Sequence, residues 1–457
     1  MRLKRVMIGA PKSGSGKTTV TCALLQALKN QGKKVISYKC GPDYIDPMFH
    51  ETVLQIPSKN LDTFFSTEDD VKRLFLEGRT EDDVAVIEGV MGLFDGLGGV
   101  REEGSSYHLA KITKTPIILV VDAKGMGRSL LALISGFLNY DREHLIRGVI
   151  LNRMSKAYYQ IMKPLIEEEL KINVVGYFPE QKENSVGSRH LGLVLPEEIS
   201  DIRKKLEKLS ETFERTVSLE QIEEIGANAE NLSYDSKDMP EMSREMKANK
   251  PVIGVAKDEA FCFYYRDNLK LLESFGARIV FFSPLHDKEI PKECDGLLFG
   301  GGYPELYAKK LSDNRRMRES IRSAAFGGMP IVAECGGFMY LHSSLIDPEG
   351  VAYAMADVVK GECFYTGKLI RFGYVEIGEK ESNFLPANGK IKGHEFHYYD
   401  STRNGMDCIG RKPVSGQEYS CIISKENQWL GFPHLYYPSN PGFAKAFVEK
   451  VRKYKNR

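Results

Sequence analysis

The chain has 457 residues, and because one hydrophobic core rarely supports that many, we expect two domains of roughly 200 residues each. Its formal net charge of +1 gives no electrostatic reason to expect nucleic-acid binding. There is no run of about 18 apolar residues and no signal-peptide pattern, so we expect a cytoplasmic protein without a membrane span. The eight cysteines form no CxxC pair, which argues against a zinc knuckle and against a disulfide framework.

Residues 1–200 alternate short apolar segments with longer helical patterns. The strand candidates, in chain order, are RVMIGA, KKVISYKC, DVAVIEGV, TPIILVVDA and IRGVILNRM. Helical spacing of apolar residues follows the first strand in TTVTCALLQALKNQG, with Gly32 as the expected stop. This order predicts an N-terminal α/β domain at 1–200 with a mainly parallel sheet covered by helices.

The residue composition and periodicity change at 201–249, where a charged helical pattern is followed by a polar, aperiodic stretch. We interpret this region as a charged helix and a linker. A second alternating unit begins at PVIGVAKD and continues through ARIVFFSP, CDGLLFGGGYPEL and MPIVAECGGFMYL to β-rich segments around FGYVEIG and IKGHEFHYYD. The sequence therefore predicts a second α/β domain at 250–457.

The segment GAPKSGSGKTT, residues 9–19, follows the first predicted strand and opens the first predicted helix. A glycine-rich turn before a helix presents unpaired N–H groups and the positive end of the helix dipole to one point, which suits phosphate groups. Pro11 replaces the first glycine of the usual GxxxxGK[ST] pattern. The predicted nucleotide-binding residues of this loop are Lys12, Gly14, Gly16, Lys17, Thr18 and Thr19, with the Thr18 hydroxyl also a ligand for Mg²⁺.

Three acidic residues follow strands of the predicted sheet. Asp43 and Asp46 lie on the turn GPDYIDP after the second strand, at the edge where ligands gather in such sheets. We interpret one or both as ligands of Mg²⁺ or substrate, and the alternative is that they are turn aspartates that cap a helix. Glu88 ends the apolar strand DVAVIE, and because a buried carboxylate is costly without a cation, we predict that it binds Mg²⁺ directly or through water.

The loop KSGSGKTT resembles that of the signature-lysine ATPases, a class that includes partitioning ATPases, nitrogenase iron protein, dethiobiotin synthetase and the corrin amidases. The resemblance implies a dethiobiotin-synthetase-like fold and a contact between Asn152, at the end of a late strand, and adenine. It leaves two alternatives for Lys12, whose counterpart in the partitioning ATPases reaches the phosphates of another subunit. Either Lys12 acts across a homodimer, or it serves its own site.

In the second half, the strand PIVAE is followed directly by Cys335 and a glycine-started helical segment. Such a turn exposes the sulfur and directs a helix N-terminus at it, which lowers the thiol pKa. We therefore predict that Cys335 is a nucleophile and that His434 is its base, the alternative being a buried structural cysteine. The predicted oxyanion hole is built from glycine N–H groups after the strand LLF and beside the cysteine: Gly300, Gly301, Gly302 and Gly336.

This half resembles the class I glutamine amidotransferases, in which a cysteine thiolate forms a glutamyl thioester and releases ammonia. The usual triad has a glutamate two residues after the histidine, where this chain has Tyr436. The third triad member is therefore either absent, leaving a dyad, or supplied from elsewhere, as in the cobyric-acid-type branch. The segment GHEFHYY, 393–399, contains HxxH, which has too few ligands for zinc, and we interpret it as substrate-facing or interdomain structure.

In order, GSGKTT, GPDYIDP, EGVMGLFDG, ECGGFMYL, GHEFHY and PHLYYPSNP are similar to segments of the cobyrinic acid a,c-diamide synthase family. The resemblance implies Mg²⁺ as cofactor, ATP and glutamine as co-substrates and a corrin or related tetrapyrrole as substrate. The expected reaction phosphorylates the a and c acetate carboxylates, and ammonia then displaces the phosphate to give amides. The alternative substrates are hydrogenobyrinic acid and nickel sirohydrochlorin, and a distant alternative function is that of a partitioning-type regulatory ATPase.

Overall fold

The computed structural model describes residues 1–181, 196–234 and 250–457. The chain divides into two compact units, Met1–Lys237 and Asp238–Arg457. None of the helices within the described ranges is long and apolar enough to cross a membrane.

The described strands of the first unit form a seven-stranded sheet in which every pairing is parallel. In chain order they are β1 (Lys4–Gly9), β2 (Lys34–Cys40), β3 (Ser58–Leu61), β4 (Asp83–Glu88), β5 (Ile117–Asp122), β6 (Ile146–Asn152) and β7 (Asn173–Phe178). Their spatial order is β3-β2-β4-β1-β5-β6-β7, so the carboxyl ends of all these strands meet at one edge. The five strands predicted from the sequence are confirmed, and β3 and β7 are additional.

Helices pack on the sheet of the first unit. They are α1 (Lys17–Asn30), α2 (Ile45–Thr52), α3 (Glu68–Leu76), α4 (Ser106–Ile112), α5 (Ser129–Tyr140), α6 (Lys156–Leu170), α7 (Pro196–Thr216) and α8 (Leu219–Ala227), with a 3₁₀ turn at Leu97–Gly99. Because both faces of the sheet are covered, successive residues of β1 enter different apolar clusters. Met7 packs in the cluster of Leu119, whereas Val6 and Ile8 pack in the cluster of Leu24 from α1.

Helix α7 is part of the first unit. Its residues Leu206, Leu209 and Phe213 are buried in the same apolar cluster as α1. After α8, Leu232 is also buried, and its carbonyl accepts a hydrogen bond from the Met1 ammonium at 3.0 Å. The first unit thus extends beyond the boundary expected at residue 200, because the charged helix has an apolar face that needs the sheet to cover it. The rest of the expected linker, 235–249, lies outside the described residues.

The described strands of the second unit form a central six-stranded sheet and two smaller sheets. In chain order they are β8 (Val252–Ala256), β9 (Arg278–Phe282), β10 (Gly296–Phe299), β11 (Ile331–Glu334), β12 (His342–Ile346), β13 (Ala352–Ala354), β14 (Val359–Tyr365), β15 (Arg371–Glu379), β16 (Lys390–His397), β17 (Tyr399–Ser401), β18 (Cys408–Arg411), β19 (Glu418–Cys421), β20 (Ile423–Lys425), β21 (Gln428–Gly431) and β22 (His434–Leu435). The central sheet has the order β20-β21-β11-β10-β8-β9, parallel except for β20.

The two smaller sheets of the second unit have the orders β13-β12-β14-β17 and β19-β18-β15-β16-β22. The helices are α9 (Arg266–Ser274), α10 (Ala308–Asp313), α11 (Arg315–Phe326), α12 (Gly336–Tyr340) and α13 (Pro441–Lys455), with 3₁₀ turns at Pro304–Tyr307 and Tyr437–Ser439. Both units therefore combine a parallel sheet with helices, and the predicted α/β fold class is confirmed.

Candidate active sites

The phosphate loop of the first unit has a backbone that only glycine adopts easily. Gly14 and Gly16 have φ of 77° and 96°, in the left-handed region. Gly16 is the N-cap of α1, and a Cβ at this position would clash with the side-chain amide of Asn152. The loop therefore leads directly into the N-terminus of α1, where unpaired N–H groups and the helix dipole favour an anion.

The two lysines of this loop have different surroundings. The Lys17 side chain is buried, and its Nζ donates a hydrogen bond to the carbonyl of Met91. Burial, followed by the charge of Lys39, lowers the pKa of Lys17 to about 8. Lys12 is exposed, and its carbonyl accepts a hydrogen bond from Ser15 Oγ at 2.9 Å. A bound phosphate would therefore favour the charged form of Lys17, which burial disfavours.

A buried cluster of charged groups lies at the carboxyl end of β4. Glu88 is fully buried, and its Oε1 accepts hydrogen bonds from Thr18 Oγ1 at 2.6 Å and from Lys39 Nζ at 2.9 Å. Lys39 also forms an ion pair with Asp46 at 2.5 Å, and His50 Nε2 lies 3.7 Å from Glu88 Oε2. The fold thus brings three predicted residues, Thr18, Asp46 and Glu88, around a lysine that the sequence analysis missed.

The pKa values in this cluster follow from burial and from the ion pairs. Burial, followed by the charge of Asp46, raises the pKa of Glu88 to about 7. Burial by itself would lower the pKa of Lys39, but Glu88 and Asp46 outweigh it and raise that pKa well above its ordinary value. Burial by itself would raise the pKa of Asp46, but Lys39 outweighs it and lowers that pKa. At neutral pH, Lys39 is therefore an ammonium beside the Asp46 carboxylate and a Glu88 carboxyl close to its titration point.

The oxygen atoms of this cluster suit Mg²⁺, which prefers carboxylate, hydroxyl and phosphate ligands. Glu88 Oε2 is buried and has no hydrogen-bond partner among the described residues. Within the same residues, no group of three histidine, cysteine or acidic side chains is arranged to hold a metal ion. Thr18 and Glu88 therefore fit an ion that takes few protein ligands and completes its coordination with nucleotide phosphates and water.

Asp43 has the helix-capping role that the sequence analysis kept as an alternative. Its Oδ1 accepts hydrogen bonds from the N–H groups of Ile45 at 2.8 Å and Asp46 at 3.2 Å, at the start of α2. Burial, followed by the charge of Asp46, raises the pKa of Asp43. A contact between Asp43 and Mg²⁺ or substrate stays a prediction.

Asn152 and Arg153 hold the phosphate loop against the end of β6. Asn152 Nδ2 donates a hydrogen bond to the Ser15 carbonyl at 2.8 Å. Arg153 donates to the Gly14 carbonyl at 3.1 Å and forms an ion pair with Asp122. Arg153 and Asp122 were not predicted from the sequence, because a charged residue at the end of a strand is common and does not by itself indicate a site. The predicted contact of Asn152 with adenine stays a prediction.

In the second unit, Cys335 occupies the sharp turn between β11 and α12. Its φ of 47° and ψ of −109° lie outside the regions that cysteine ordinarily adopts. The backbone on each side is fixed, because the Cys335 N–H donates to the Gly431 carbonyl at 2.9 Å and the Gly337 N–H donates to the Gly300 carbonyl at 3.0 Å. The chain thus forms the strand–turn–helix arrangement that the sequence predicts, with strain at the proposed nucleophile.

His434 lies at the same edge of the central sheet as Cys335. Strands β11 and β21 pair in parallel with Glu334 opposite Gly431, so Cys335 directly follows one strand and His434 lies shortly after the other. A Cβ at Gly301 would clash with the His434 ring. The fold therefore brings the predicted nucleophile, base and glycine run together.

The glycine run supplies part of the predicted oxyanion hole. The Gly300 N–H donates to the Tyr264 hydroxyl at 2.7 Å, so it is not available to a substrate. A Cβ at Gly336 would lie 3.1 Å from the Gly302 nitrogen, which places these two residues side by side. The N–H groups of Gly301, Gly302 and Gly336 stay the predicted oxyanion donors.

The thiol and the imidazole are both neutral in this environment. Burial, followed by the charge of Glu305, raises the pKa of Cys335 to about 12, and the Gly336 N–H acts in the opposite direction. Burial, followed by His397, lowers the pKa of His434 to about 3. The lowered thiol pKa that we expected from the helix N-terminus is therefore wrong for this structure, because burial outweighs the effect of a helix of only five residues.

Comparison with protein-family models assigns a domain family to each unit. Residues 6–194 match the CobQ/CobB/MinD/ParA nucleotide binding domain, and residues 252–432 match the CobB/CobQ-like glutamine amidotransferase domain. Among solved structures, PurLQS from Thermotoga maritima covers 45% of this chain and 100% of its own, at 17% identity and a TM-score of 0.32. That likeness is too weak to support a conclusion.

Curated relatives match nearly the whole chain. A cobyrinate a,c-diamide synthase of Caldanaerobacter subterraneus is 40% identical over 449 residues, which are 97% of this chain and 97% of the relative. The chain belongs to the cobyrinate a,c-diamide synthase family. Two further relatives carry the same name. The cobyrinate a,c-diamide synthase of Listeria innocua is 40% identical and matches 96% of this chain and 97% of the relative. That of Thermoplasma volcanium is 39% identical and matches 100% of this chain and 99% of the relative. The predicted enzyme class, a glutamine-hydrolysing carbon–nitrogen ligase, is confirmed.

In this member of the cobyrinate a,c-diamide synthase family, the strand β16 that carries His394 also carries Glu395, a residue that was not predicted from the sequence. Glu395 is fully buried in β16, where it pairs with Lys412 at 3.2 Å and accepts a hydrogen bond from the Tyr419 hydroxyl. Burial by itself would raise the pKa of Glu395, but His397, Lys412 and Tyr419 lower it to about 2. Its negative charge acts to raise the pKa of His434, but Glu395 follows His394 in β16 and so points to the other face of the sheet from the stacked rings of His394 and His434. The sequence feature that could have indicated Glu395 is an acidic residue in the middle of the β-rich segment GHEFH.

The two histidines of GHEFHYY lie on different faces of the small sheet, since residues three apart on a strand point in opposite directions. The His394 ring stacks on His434 with centroids 4.9 Å apart, and its Nδ1 lies 3.2 Å from the Tyr265 hydroxyl. His397 Nδ1 lies 2.6 Å from the Tyr399 carbonyl. The two rings therefore do not converge on one ion, and His394 supports the ring of the predicted base.

Proposed function

We propose that this protein uses ATP and glutamine to amidate the a and c acetate carboxylates of cobyrinic acid in cobalamin biosynthesis. The observation that carries the proposal is that one chain, whose full-length relatives are named cobyrinate a,c-diamide synthase, combines the Lys17 phosphate loop with the Cys335 turn. The first site can activate a carboxylate, and the second can release ammonia. A partitioning-type ATPase has no use for the second site.

In the amidotransferase unit, Cys335 Sγ attacks the amide carbon of glutamine as the thiol proton moves to His434. The N–H groups of Gly301, Gly302 and Gly336 stabilise the oxyanion. His434 returns the proton to the leaving nitrogen, the C–N bond breaks, and ammonia departs from a glutamyl thioester. Water then hydrolyses the thioester to glutamate and restores the thiol.

In the synthetase unit, a carboxylate oxygen of the macrocycle attacks the γ-phosphorus of ATP, and ADP leaves. Lys17 stabilises the negative charge that spreads over the transferring group. Ammonia then attacks the acyl carbon of the acyl phosphate, the bond to the phosphate oxygen breaks, and loss of a proton gives the amide and inorganic phosphate. Two amides therefore consume two ATP and two glutamines.

Mg²⁺ is the expected cofactor of the synthetase unit, with Thr18 and Glu88 as its protein ligands. When bound, it neutralises phosphate charge. Lys39 keeps the Asp46 carboxylate ionised and holds Glu88 Oε1 in position. Asp46, together with Asp43, is proposed to contact the substrate from the turn after β2.

The substrate and the role of Lys12 each have an alternative. Hydrogenobyrinic acid and nickel sirohydrochlorin carry comparable acetate side chains, and the names of the relatives favour cobyrinic acid. The exposed Lys12 side chain is compatible with contact to its own nucleotide or to that of a second subunit in a homodimer. Asn152 is proposed to contact adenine from its position beside the loop.

Mass spectrometry of the products tests this function. The protein is incubated with ATP, Mg²⁺, glutamine and, in separate reactions, cobyrinic acid, hydrogenobyrinic acid or nickel sirohydrochlorin. We expect two amides on cobyrinic acid, counted from the mass change when OH is replaced by NH₂. Two amides on another macrocycle only would move the proposal to that substrate, and ATP hydrolysis without any amidation would contradict it.

A further inference from the structure

Glu305 belongs to the segment that packs directly on the Cys335 turn. The 3₁₀ turn Pro304–Tyr307 follows the glycine run. A Cβ at Gly336 would lie only 2.8 Å from Pro304 Cδ and 3.1 Å from the Gly302 nitrogen, so this segment leaves no space between itself and the start of α12. Backbone packing therefore holds this segment, which includes Glu305, against the Cys335 turn.

The surroundings of the Glu305 carboxyl group disfavour its charged form. Among the described residues, no lysine, arginine or histidine lies within ion-pair distance of the Glu305 carboxyl group. Glu305 is only partly exposed, so water does not fully solvate its charge. Burial raises the pKa of Glu305 to about 7. After burial, Glu305 is also the largest cause of the raised pKa of the Cys335 thiol. An ionised Glu305 therefore opposes formation of the thiolate that catalysis needs.

The hydroxyl of Tyr399 is a second polar group that the charge of Glu305 affects. The Tyr399 hydroxyl is buried and makes no hydrogen bond within the described part of the chain. After burial, Glu305 is the largest cause of the raised pKa of Tyr399. A buried hydroxyl that lacks a partner within the described residues, close to a carboxyl group that lacks a cation there, is costly unless a ligand satisfies both groups.

We propose that Glu305 binds the α-ammonium group of glutamine, with the Tyr399 hydroxyl oxygen accepting a second hydrogen bond from the same group. The inference rests on the proposed function and assigns a specificity residue to its amidotransferase site. Pairing with an ammonium neutralises the Glu305 charge that opposes ionisation of Cys335. Binding of glutamine therefore favours the thiolate only when the substrate is in place, which restrains the thiol in the free enzyme.

Glutaramic acid provides the test, because it has the same chain and amide as glutamine but no α-amino group. The wild-type protein should hydrolyse glutamine with a kcat/KM roughly 10- to 100-fold above that for glutaramic acid, as expected for one charge-assisted hydrogen bond. Glu305→Gln should lose this preference through a lower kcat/KM for glutamine, with no fall for glutaramic acid. Glu305→Asp, which keeps the charge, should retain part of the preference.

Glu349→Gln serves as the matched control, since Glu349 is exposed and is a lesser cause of the raised pKa of Tyr399 than Glu305. It should keep the full preference for glutamine. The inference is overturned if the wild-type protein shows no preference, or if Glu305→Gln lowers both activities equally or neither. A wild-type protein that hydrolyses neither amide would overturn the proposed function itself and this inference with it.

Discussion

The Thr18 hydroxyl donates a hydrogen bond to Glu88 Oε1 at 2.6 Å, which joins the first turn of α1 to the carboxyl end of β4. Lys39, near the end of β2, donates to the same oxygen at 2.9 Å. The phosphate loop, a carboxyl group and a buried cation therefore meet at the edge where parallel α/β sheets bind ligands. A change at Glu88 affects the loop hydroxyl and the buried ammonium at once.

Glu88→Gln should abolish amide synthesis while glutamine hydrolysis continues. The amide keeps a hydrogen-bond acceptor for Thr18 but removes the negative charge that suits Mg²⁺, so we expect a loss of synthesis of about 100-fold or more. Cys335 and His434 lie in the other unit and are unchanged. The measurements are product mass spectrometry and glutamate release, with the exposed Glu102→Gln as control. Normal amide synthesis by the Glu88 variant would show that Glu88 is not part of the active site.

Cys335→Ala should abolish amidation that depends on glutamine and preserve amidation that depends on added ammonium salt. The thiol is needed only to release ammonia, and free ammonia can react with the acyl phosphate directly. Both activities are measured by amide formation with each nitrogen source.

The control for this variant is Cys294→Ala. Cys294 is also buried, but it precedes β10 and thus lies at the opposite edge of the central sheet from the Cys335 turn. It should keep both activities. Loss of both activities in Cys335→Ala alone would contradict the view that the two half-sites work independently.

The sequence predicts most of the fold because buried parallel strands are apolar runs with helices between them. Strand β3, SKNL, lacks such a run, and it forms because Ser58 pairs with Ser37 on β2. Strand β7 is interrupted by Gly176, where a Cβ would lie 2.5 Å from the Thr216 carbonyl and from Val217 Cα. The close packing of the Thr216–Val217 backbone explains the glycine, and no local sequence pattern predicts this packing.

The residues of the candidate sites also differ in whether they can be predicted from the sequence. Lys17 and Cys335 belong to local motifs, which a single sequence displays. Lys39 lies opposite Glu88 in the register of β2 and β4, and this contact depends on which strands are neighbours. Glu395 likewise gains its importance from partners on other strands. Such residues become visible only when the strand order is known.

Lys39→Met should destabilise the first unit by about 3–5 kcal/mol at pH 8, because it leaves the buried Asp46 and Glu88 without their cation. The loss should be smaller at pH 5.5. A carboxyl group whose folded pKa is raised, as that of Glu88 is to about 7, costs stability as the pH rises from its unfolded pKa through the folded one. At the lower pH, Glu88 is protonated and the missing ammonium matters less.

Thermal unfolding of the wild type and the variant at both pH values measures this effect. Lys72→Met is the control, since its ion pair with Asp69 is on the surface at 3.4 Å, and we expect a change of at most about 0.5 kcal/mol. An equal loss of stability at pH 5.5 and pH 8 for the Lys39 variant would contradict the proposed role of Lys39 as the cation that pairs with Glu88 and Asp46.

Asn152→Ala separates two roles for one side chain. The Asn152 amide holds the phosphate loop through the Ser15 carbonyl at 2.8 Å, and its removal should weaken nucleotide binding by about tenfold, the effect of one buried hydrogen bond. If Asn152 also contacts adenine, the variant should lose its preference for ATP over GTP. If Asn152 only supports the loop, KM should rise equally for both nucleotides, and the predicted adenine contact is wrong. Asp122→Asn, which alters the neighbouring ion pair of Arg153, should affect the two nucleotides alike and serves as the comparison.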